Sequence, residues 1–214
     1  RDLRRRGMPA PVLAGGDGAL GFWGALRDVY PETREQRCWV HKIANVLDKL
    51  PKRLQPRAKA ILHEIMRAPD RASAEEEIEH FVEEHKARYP KATECLVKDQ
   101  KTMLTFFDFP AEHWLHSLAL SARTSVRTTN PIESSFATVK VRTRKTKGAG
   151  SRKASLAMAF KLVLAAEKRW RKVNAPRLVA LVRAGVEFKD GEQVLHYYQV
   201  APLVLEQVPV EAAA

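Results

Sequence analysis

Apolar and polar positions divide the chain into a short α/β opening, a long helical middle and two further helices. Residues 1–6 read as the end of a helix stopped by Gly7 and Pro9. Pro11-Val12-Leu13-Ala14 is a brief apolar run closed by Gly15-Gly16-Asp17-Gly18, the form of a short buried strand that delivers Asp17 at its end. Residues 20–30 place Leu20, Trp23, Leu26 and Val29 near one helical face, and Pro31 ends that helix. Residues 35–40 predict a second short strand, so the chain opens strand, helix, strand, the grammar of an α/β core.

From Lys42 to about Tyr89 the period is helical, with breaks expected at Pro51, Pro56 and Pro69 and an N-cap at Ser73. A further helix is expected from Lys91 to Phe107, ended by Phe109-Pro110. Residues 117–130 carry no clear pattern up to the turn Thr128-Thr129-Asn130-Pro131, which leads into a helix running to about Thr146, with Glu133 in its first turn. Lys147–Ser151 reads as a flexible break, followed by a strongly amphipathic helix over 151–173. The last forty residues are weakly patterned and the Ala-rich end is expected to fray.

Composition adds charge to this picture. The 37 Lys and Arg against 25 Asp and Glu leave a net +12, which points to a polyanionic partner, nucleic acid or an anionic membrane. The plain alternative is a solvated basic surface. Two cysteines are too few for a disulfide framework, which fits a reducing compartment. No apolar run reaches the length of a membrane span, and no signal peptide pattern is visible. No phosphate-binding loop, nucleophile elbow or dinucleotide fingerprint is present.

Four features carry candidate chemistry. Asp17 stands between glycines at a strand end, where a carboxylate can hold a divalent cation; Gly-Asp-Gly is equally ordinary turn composition. Glu133 can turn toward a metal from the start of its helix, or merely complement the helix dipole. From Lys140 to Lys153 stand seven basic residues (Lys140, Arg142, Arg144, Lys145, Lys147, Arg152, Lys153) and no acidic one, interleaved with threonines, a composition suited to phosphate binding. Cys38-Trp39-Val40-His41 is half of a zinc site, which His113 and His116 would have to complete; packing and hydrogen bonding near the site is the simpler role for Cys38 and His41.

Together these phrases resemble the Mutator-type bacterial insertion-sequence transposases. The resemblance is carried by Gly16-Asp17-Gly18, Tyr30-Pro31, Gln36-Arg37-Cys38-Trp39-Val40-His41-Lys42-Ile43, Asn45-Val46, Thr128-Thr129-Asn130-Pro131-Ile132-Glu133-Ser134 and Arg142-Thr143-Arg144, in the family's order. It implies an α/β, mostly helical chain: a partial ribonuclease H-like core interrupted by an all-helical insertion. The division expected is 1–44 for the first part of the core, 45–126 for the insertion, 127–175 for the helix of the third carboxylate with the basic tract and the next helix, and 176–214 for a C-terminal extension.

The resemblance further implies an Asp, Asp, Glu site in which Asp17 is the second carboxylate and Glu133 the third, both ligating Mg²⁺ or Mn²⁺. Cys38, His41 and Asn130 would be structural neighbours of that site, and the family's first aspartate would lie upstream of Arg1. The expected activity is DNA transposition by two-metal phosphoryl transfer, with this chain inactive by itself. The partners implied are transposon ends, target DNA and further copies of the same chain, in a nucleoid-associated cytoplasmic setting without membrane. The alternative is a non-catalytic DNA-binding or regulatory remnant of such an enzyme. A weaker rival is a helical protein–protein module using the acidic stretch Glu75–Glu84. One departure stands out: residues 117–126 separate the His113-Trp114 phrase from the Arg127-Thr128-Thr129-Asn130 phrase, which nearly adjoin in the family.

Overall fold

The computed structural model describes residues 1–114, 126–148, 150–168, 170 and 173–195, apart from the side chains of Asn130 and Pro131. Strand β1 (Leu13–Gly16) pairs in parallel with β2 (Arg34–Arg37), from Leu13 opposite Arg34 to Gly16 opposite Arg37. Between them runs helix α2 (Leu20–Val29), and α1 (Asp2–Arg5) precedes them. The chain is thus α/β and mostly helical, as its pattern predicts.

The second strand is shorter than the expected 35–40. It stops at Arg37 because Cys38 is the N-cap of α3 (Trp39–Leu47), with its own N–H donated 2.8 Å to the Gly16 carbonyl. Strand β1 likewise ends two residues nearer to Asp17 than the apolar run suggests.

Every element described between β2 and residue 114 is helical: α3, α4 (Gln55–Arg67), α5 (Arg71–His85), α6 (Pro90–Val97), α7 (Gln100–Met103), a 3-10 turn (Thr105–Asp108) and α8 (Ala111–Trp114). Pro56 does not break a helix but opens α4, where its missing N–H costs nothing. The N-cap of α5 is Asp70, not Ser73: the Asp70 carboxylate accepts the Ser73 N–H at 2.8 Å, which holds its pKa below the usual range. The helix expected over 91–107 is three short pieces. The carbonyl of Met103 faces away from α7 and accepts the Gln36 Nε2 and Trp39 Nε1 protons, each at 2.9 Å. The main core lies in this helical region, around Trp39, Leu62, Ile65, Ile78, Phe81, Leu96, Phe106, Phe107 and Trp114. Each such burial contributes roughly 1.5–3 kcal/mol.

Helix α9 (Asn130–Lys145) and helix α10 (Arg152–Glu167) pack against one another. Lys147, at φ 51°, closes α9 in a Schellman arrangement: the Gly148 N–H reaches the Thr143 carbonyl and the Lys147 N–H the Arg144 carbonyl. Helix α10 ends at Glu167 rather than near 173 and lacks the expected apolar stripe. Leu156 and Phe160 are each 62% exposed, and Ala166 is its one buried residue.

Beyond it lie α11 (Pro176–Arg183) and a hairpin of β3 (Phe188–Lys189) and β4 (Glu192–Gln193). The hairpin turn is Asp190-Gly191, both at positive φ, the pairing that a tight antiparallel turn favours. A Cβ on Gly191 would stand 2.6 Å from that of Ala111, so the hairpin tip seats against α8 only because it ends in glycine. Residues 117–125, His116 and the Ala-rich end lie outside the described residues. No helix among the described residues is long and apolar enough to cross a membrane.

Candidate active site

Asp17 leaves β1 exposed, its Oδ1 accepting the Ala19 N–H at 3.1 Å and so fixing the turn into α2. Beneath that turn lies Arg37. Its guanidinium donates to the Gly16 carbonyl at 3.3 Å and occupies the space where a Cβ on Gly18 would sit, 2.6 Å away. Gly18, at φ 95°, is therefore required twice over, by backbone and by space. Arg37 and Lys42 are both buried, and both reach the carboxylate of Asp99, at 3.2 and 2.7 Å. For Asp99, burial pushes the carboxyl up, but the bonds from Lys42 and Arg37 outweigh it and the pKa is lowered.

Glu133 occupies the first turn of α9, half exposed, and accepts the Thr129 hydroxyl proton on Oε1. His41, on the first turn of α3, holds Nε2 3.7 Å from the same oxygen and Nδ1 3.2 Å from Cys38 Sγ. The Thr129 N–H and Oγ1 each lie 3.3 Å from that sulfur. Cys38, His41, Thr129 and Glu133 thus form one cluster at the end of β2.

The charges answer to one another. The His41 pKa is raised, first by its bond to Cys38 and further by the negative charges of Cys38, Glu133 and Asp17, against a partial loss from burial. Burial pushes the Cys38 thiol up, but the bonds from Thr129 and His41 outweigh it and the net shift is downward. His41 therefore holds positive charge to higher pH than a free imidazole, favoured by the carboxylates of Glu133 and Asp17.

The turn that delivers Glu133 is anchored by Arg127. Its carbonyl accepts the Trp39 N–H at 3.0 Å. Its side chain is buried, donates to the Met66 carbonyl and stacks 5.3 Å over the Phe106 ring. Burial, helped by the nearby charge of Arg67, pushes its pKa down to about 10.

The basic residues are all exposed: Lys140, Arg142, Arg144 and Lys145 on α9, Lys147 in its cap, and Arg152 and Lys153 opening α10. At 3.6 residues per turn Lys140 and Arg144 lie within about 20° of the Glu133 face, about 10 and 16 Å along the axis. Arg142 and Lys145 instead border a shallow groove of about 380 Å³ with Ala137, Thr138 and Val141. The cations that end α9 suit its dipole, whereas Arg152 and Lys153 at the start of α10 oppose theirs, with no acid there to compensate.

Among the described residues no group of three or more His, Cys, Asp or Glu side chains can hold a metal ion. Cys38 and His41 therefore have no zinc-completing partners there, and the side chain of Asn130 lies outside the described residues. The sequence points to Asp17, Glu133, Cys38, His41 and Asn130; Thr129 and Arg37 stand in its family phrases with no role assigned, and no local signal marks Asp99 or the burial of Arg127.

The fold and this site define an α/β, mostly helical protein that sets a cluster of Cys38, His41, Thr129 and Glu133 at the head of a basic helix. The chain belongs to the Mutator family of transposases, whose family model matches residues 1–173. It is 54% identical over 202 residues to the transposase for insertion sequence element IS6120 of Mycolicibacterium smegmatis, covering 94% of this chain and 60% of that protein. It is 52% identical over 192 residues to the transposase for insertion sequence element IST2 of Acidithiobacillus ferrooxidans, covering 89% of this chain and 62% of that protein. A more distant relative is the transposase for element ISRM5 of Rhizobium meliloti, at 30% over 114 residues, covering 53% of this chain and 29% of that protein. The chain thus spans about 60% of the length of the first two relatives.

Proposed function

We propose that this chain is part of the catalytic region of a metal-dependent DNA transposase. In this reading Asp17 and Glu133 ligate Mg²⁺ or Mn²⁺, and the tract from Lys140 to Lys153 holds the DNA backbone. The observation that carries it is the construction of α9. One helix bears Glu133 in its first turn, within reach of the cluster at the Asp17 strand end, and Lys140 and Arg144 further along the same face. Hard oxygen donors, both exposed, suit a divalent hard cation, and the neighbouring cations let a phosphate backbone approach two carboxylates.

The parallel pair β1–β2 with α2 between them is assigned to a ribonuclease H-like core, interrupted by the helices from α3 to α8. Bound cations, held in part by Asp17 and Glu133, would supply activation of the attacking hydroxyl and stabilisation of the leaving oxygen. The chain's own residues do the rest. Asp17 and Glu133 fix the acidic centre, His41 balances their charge, and the basic face of α9 aligns the strand with the acidic centre. The DNA partners would be transposon ends and target, with the protein acting as a homo-oligomer.

A transposase spanning the full length of such relatives tests this through Mg²⁺-dependent strand cleavage. Asp17→Asn and Glu133→Gln should each lower cleavage by more than about 100-fold, a larger loss than outer partners of a metal site produce, with DNA affinity retained. Cleavage within a few-fold of wild type in either variant would overturn the assignment. The chain by itself is expected to bind DNA in a salt-dependent way without nicking it.

A further inference from the structure

We propose that Cys38, acting through Thr129, is the positioning element that sets the Glu133 carboxylate against the strand end carrying Asp17. The inference rests on the reading of Asp17 and Glu133 as cation ligands and assigns the device that keeps them in register.

Asp17 and Glu133 stand on separate elements, with the whole helical region between them in the chain. A bridge between those elements runs through Cys38 and Thr129. The Cys38 N–H donates to the carbonyl of Gly16, the residue before Asp17, at 2.8 Å. The Cys38 sulfur accepts the N–H of Thr129, 91 positions away, at 3.3 Å. The Thr129 hydroxyl then donates to Glu133 Oε1. That hydroxyl has a single proton. With the proton committed to Glu133, the oxygen is left as an acceptor facing Cys38 Sγ at 3.3 Å and His41 Nδ1 at 3.4 Å, so the thiol or imidazole proton completes the chain of bonds. Gly16, Cys38, Thr129 and Glu133 are linked without a gap.

Burial runs in the direction such a device needs. Cys38 is 1% exposed, whereas the Glu133 side chain at the other end is 48% exposed. The anchor is buried and the ligand is open to an incoming cation. A buried free cysteine often serves only as a small apolar filler. Here three polar atoms, the Thr129 nitrogen, the Thr129 hydroxyl and His41 Nδ1, all face its sulfur within 3.3 Å, which apolar packing does not require. Sulfur also sets the spacing, because a serine hydroxyl would draw its partners in to about 2.8 Å and displace the Thr129 turn.

Mn²⁺ binding to this chain, followed by loss of the free-ion EPR signal, tests the proposal. Thr129→Val should weaken Mn²⁺ binding by about 10-fold, the scale for losing an outer partner of a ligating carboxylate, while Thr129→Ser retains it and both keep the wild-type far-UV circular dichroism. Glu133→Gln separates this proposal from the reading beneath it. If Glu133→Gln loses Mn²⁺ and Thr129→Val binds as wild type, the cation site stands and the positioning role falls. If Glu133→Gln binds as wild type, the cation site fails and the proposal falls with it. Hydrogen exchange at the Thr129 amide reads the link without metal: it should quicken in Cys38→Ala, and unchanged protection would overturn the bridge.

Discussion

Around Asp17 and Glu133, buried charge holds the structure so that exposed charge can be offered to a ligand. Arg37 and Lys42 converge on Asp99, and Arg37 also holds the carbonyl before Asp17. Removing the Asp99 charge leaves two buried cations without it. Asp99→Asn should therefore destabilise the protein at pH 7 by on the order of 3 kcal/mol, measured by urea unfolding. The pH dependence follows from the direction of its shift. The folded pKa is depressed, so its stabilisation is present above the ordinary carboxylate value and is lost as pH falls through the lower folded value. The gap between wild type and Asp99→Asn should thus begin to close as pH falls below about 3.9 and vanish below the lower folded value. A gap that persisted unchanged into that range would show that Asp99 acts through packing rather than charge.

Helix α9 joins the two halves of the proposed function, the carboxylate and the phosphate-binding cations. Its period puts Lys140 and Arg144 on the Glu133 face, and α9 is closed by a left-handed Lys147 rather than drifting into a loop. Lys140→Gln with Arg144→Gln should weaken DNA binding and reduce the slope of log affinity against log salt by about 2, near 0.9 for each phosphate that is no longer neutralised. An unchanged slope would identify the pair as a solvated face. At the start of α5, Asp70 and Ser73 are both good cap residues, and the pattern alone does not choose between them; the break at Pro69 places the helix start at Asp70.

Across the whole molecule, the hydrophobic core sits mostly in the helical region, with Leu13 of β1 packed against it, so the cluster around Glu133 depends on a core built largely elsewhere. Arg127 carries that dependence. It is buried against Phe106 and Trp114, donates to the Met66 carbonyl, and leads within two residues to Thr129. Arg127→Ala leaves that buried carbonyl without its donor and should cost about 1–3 kcal/mol, together with faster proteolysis near residue 127. Thermal melting and limited digestion check both, and wild-type behaviour in the two would show that the turn is held by other contacts.

The sequence by itself determined the local pieces. Pro and Gly punctuation with apolar period placed α2, α9 and the strand before Asp17 to within a residue or two, because those signals are local. Local chemistry pointed to Asp17, Glu133, Cys38 and His41, through a glycine-flanked strand end, a first helical turn and a Cys-x-x-His spacing, and the family resemblance supplied their expected roles. Tertiary structure alone decided what those residues touch. Breaking the 91–107 segment into three let the Met103 carbonyl receive two donors from β2 and α3, a contact across more than 60 positions that no window contains. Thr129 reads as turn composition and Arg127 as the first residue of the same phrase; folding makes one the partner of Cys38 and Glu133 and buries the other. Leu156 and Phe160 made the opposite error visible, for apolar residues at helical spacing face inward only where another element arrives to cover them. Periodicity records which side of a helix is apolar, while the partner that covers it is set by contacts far apart in the chain.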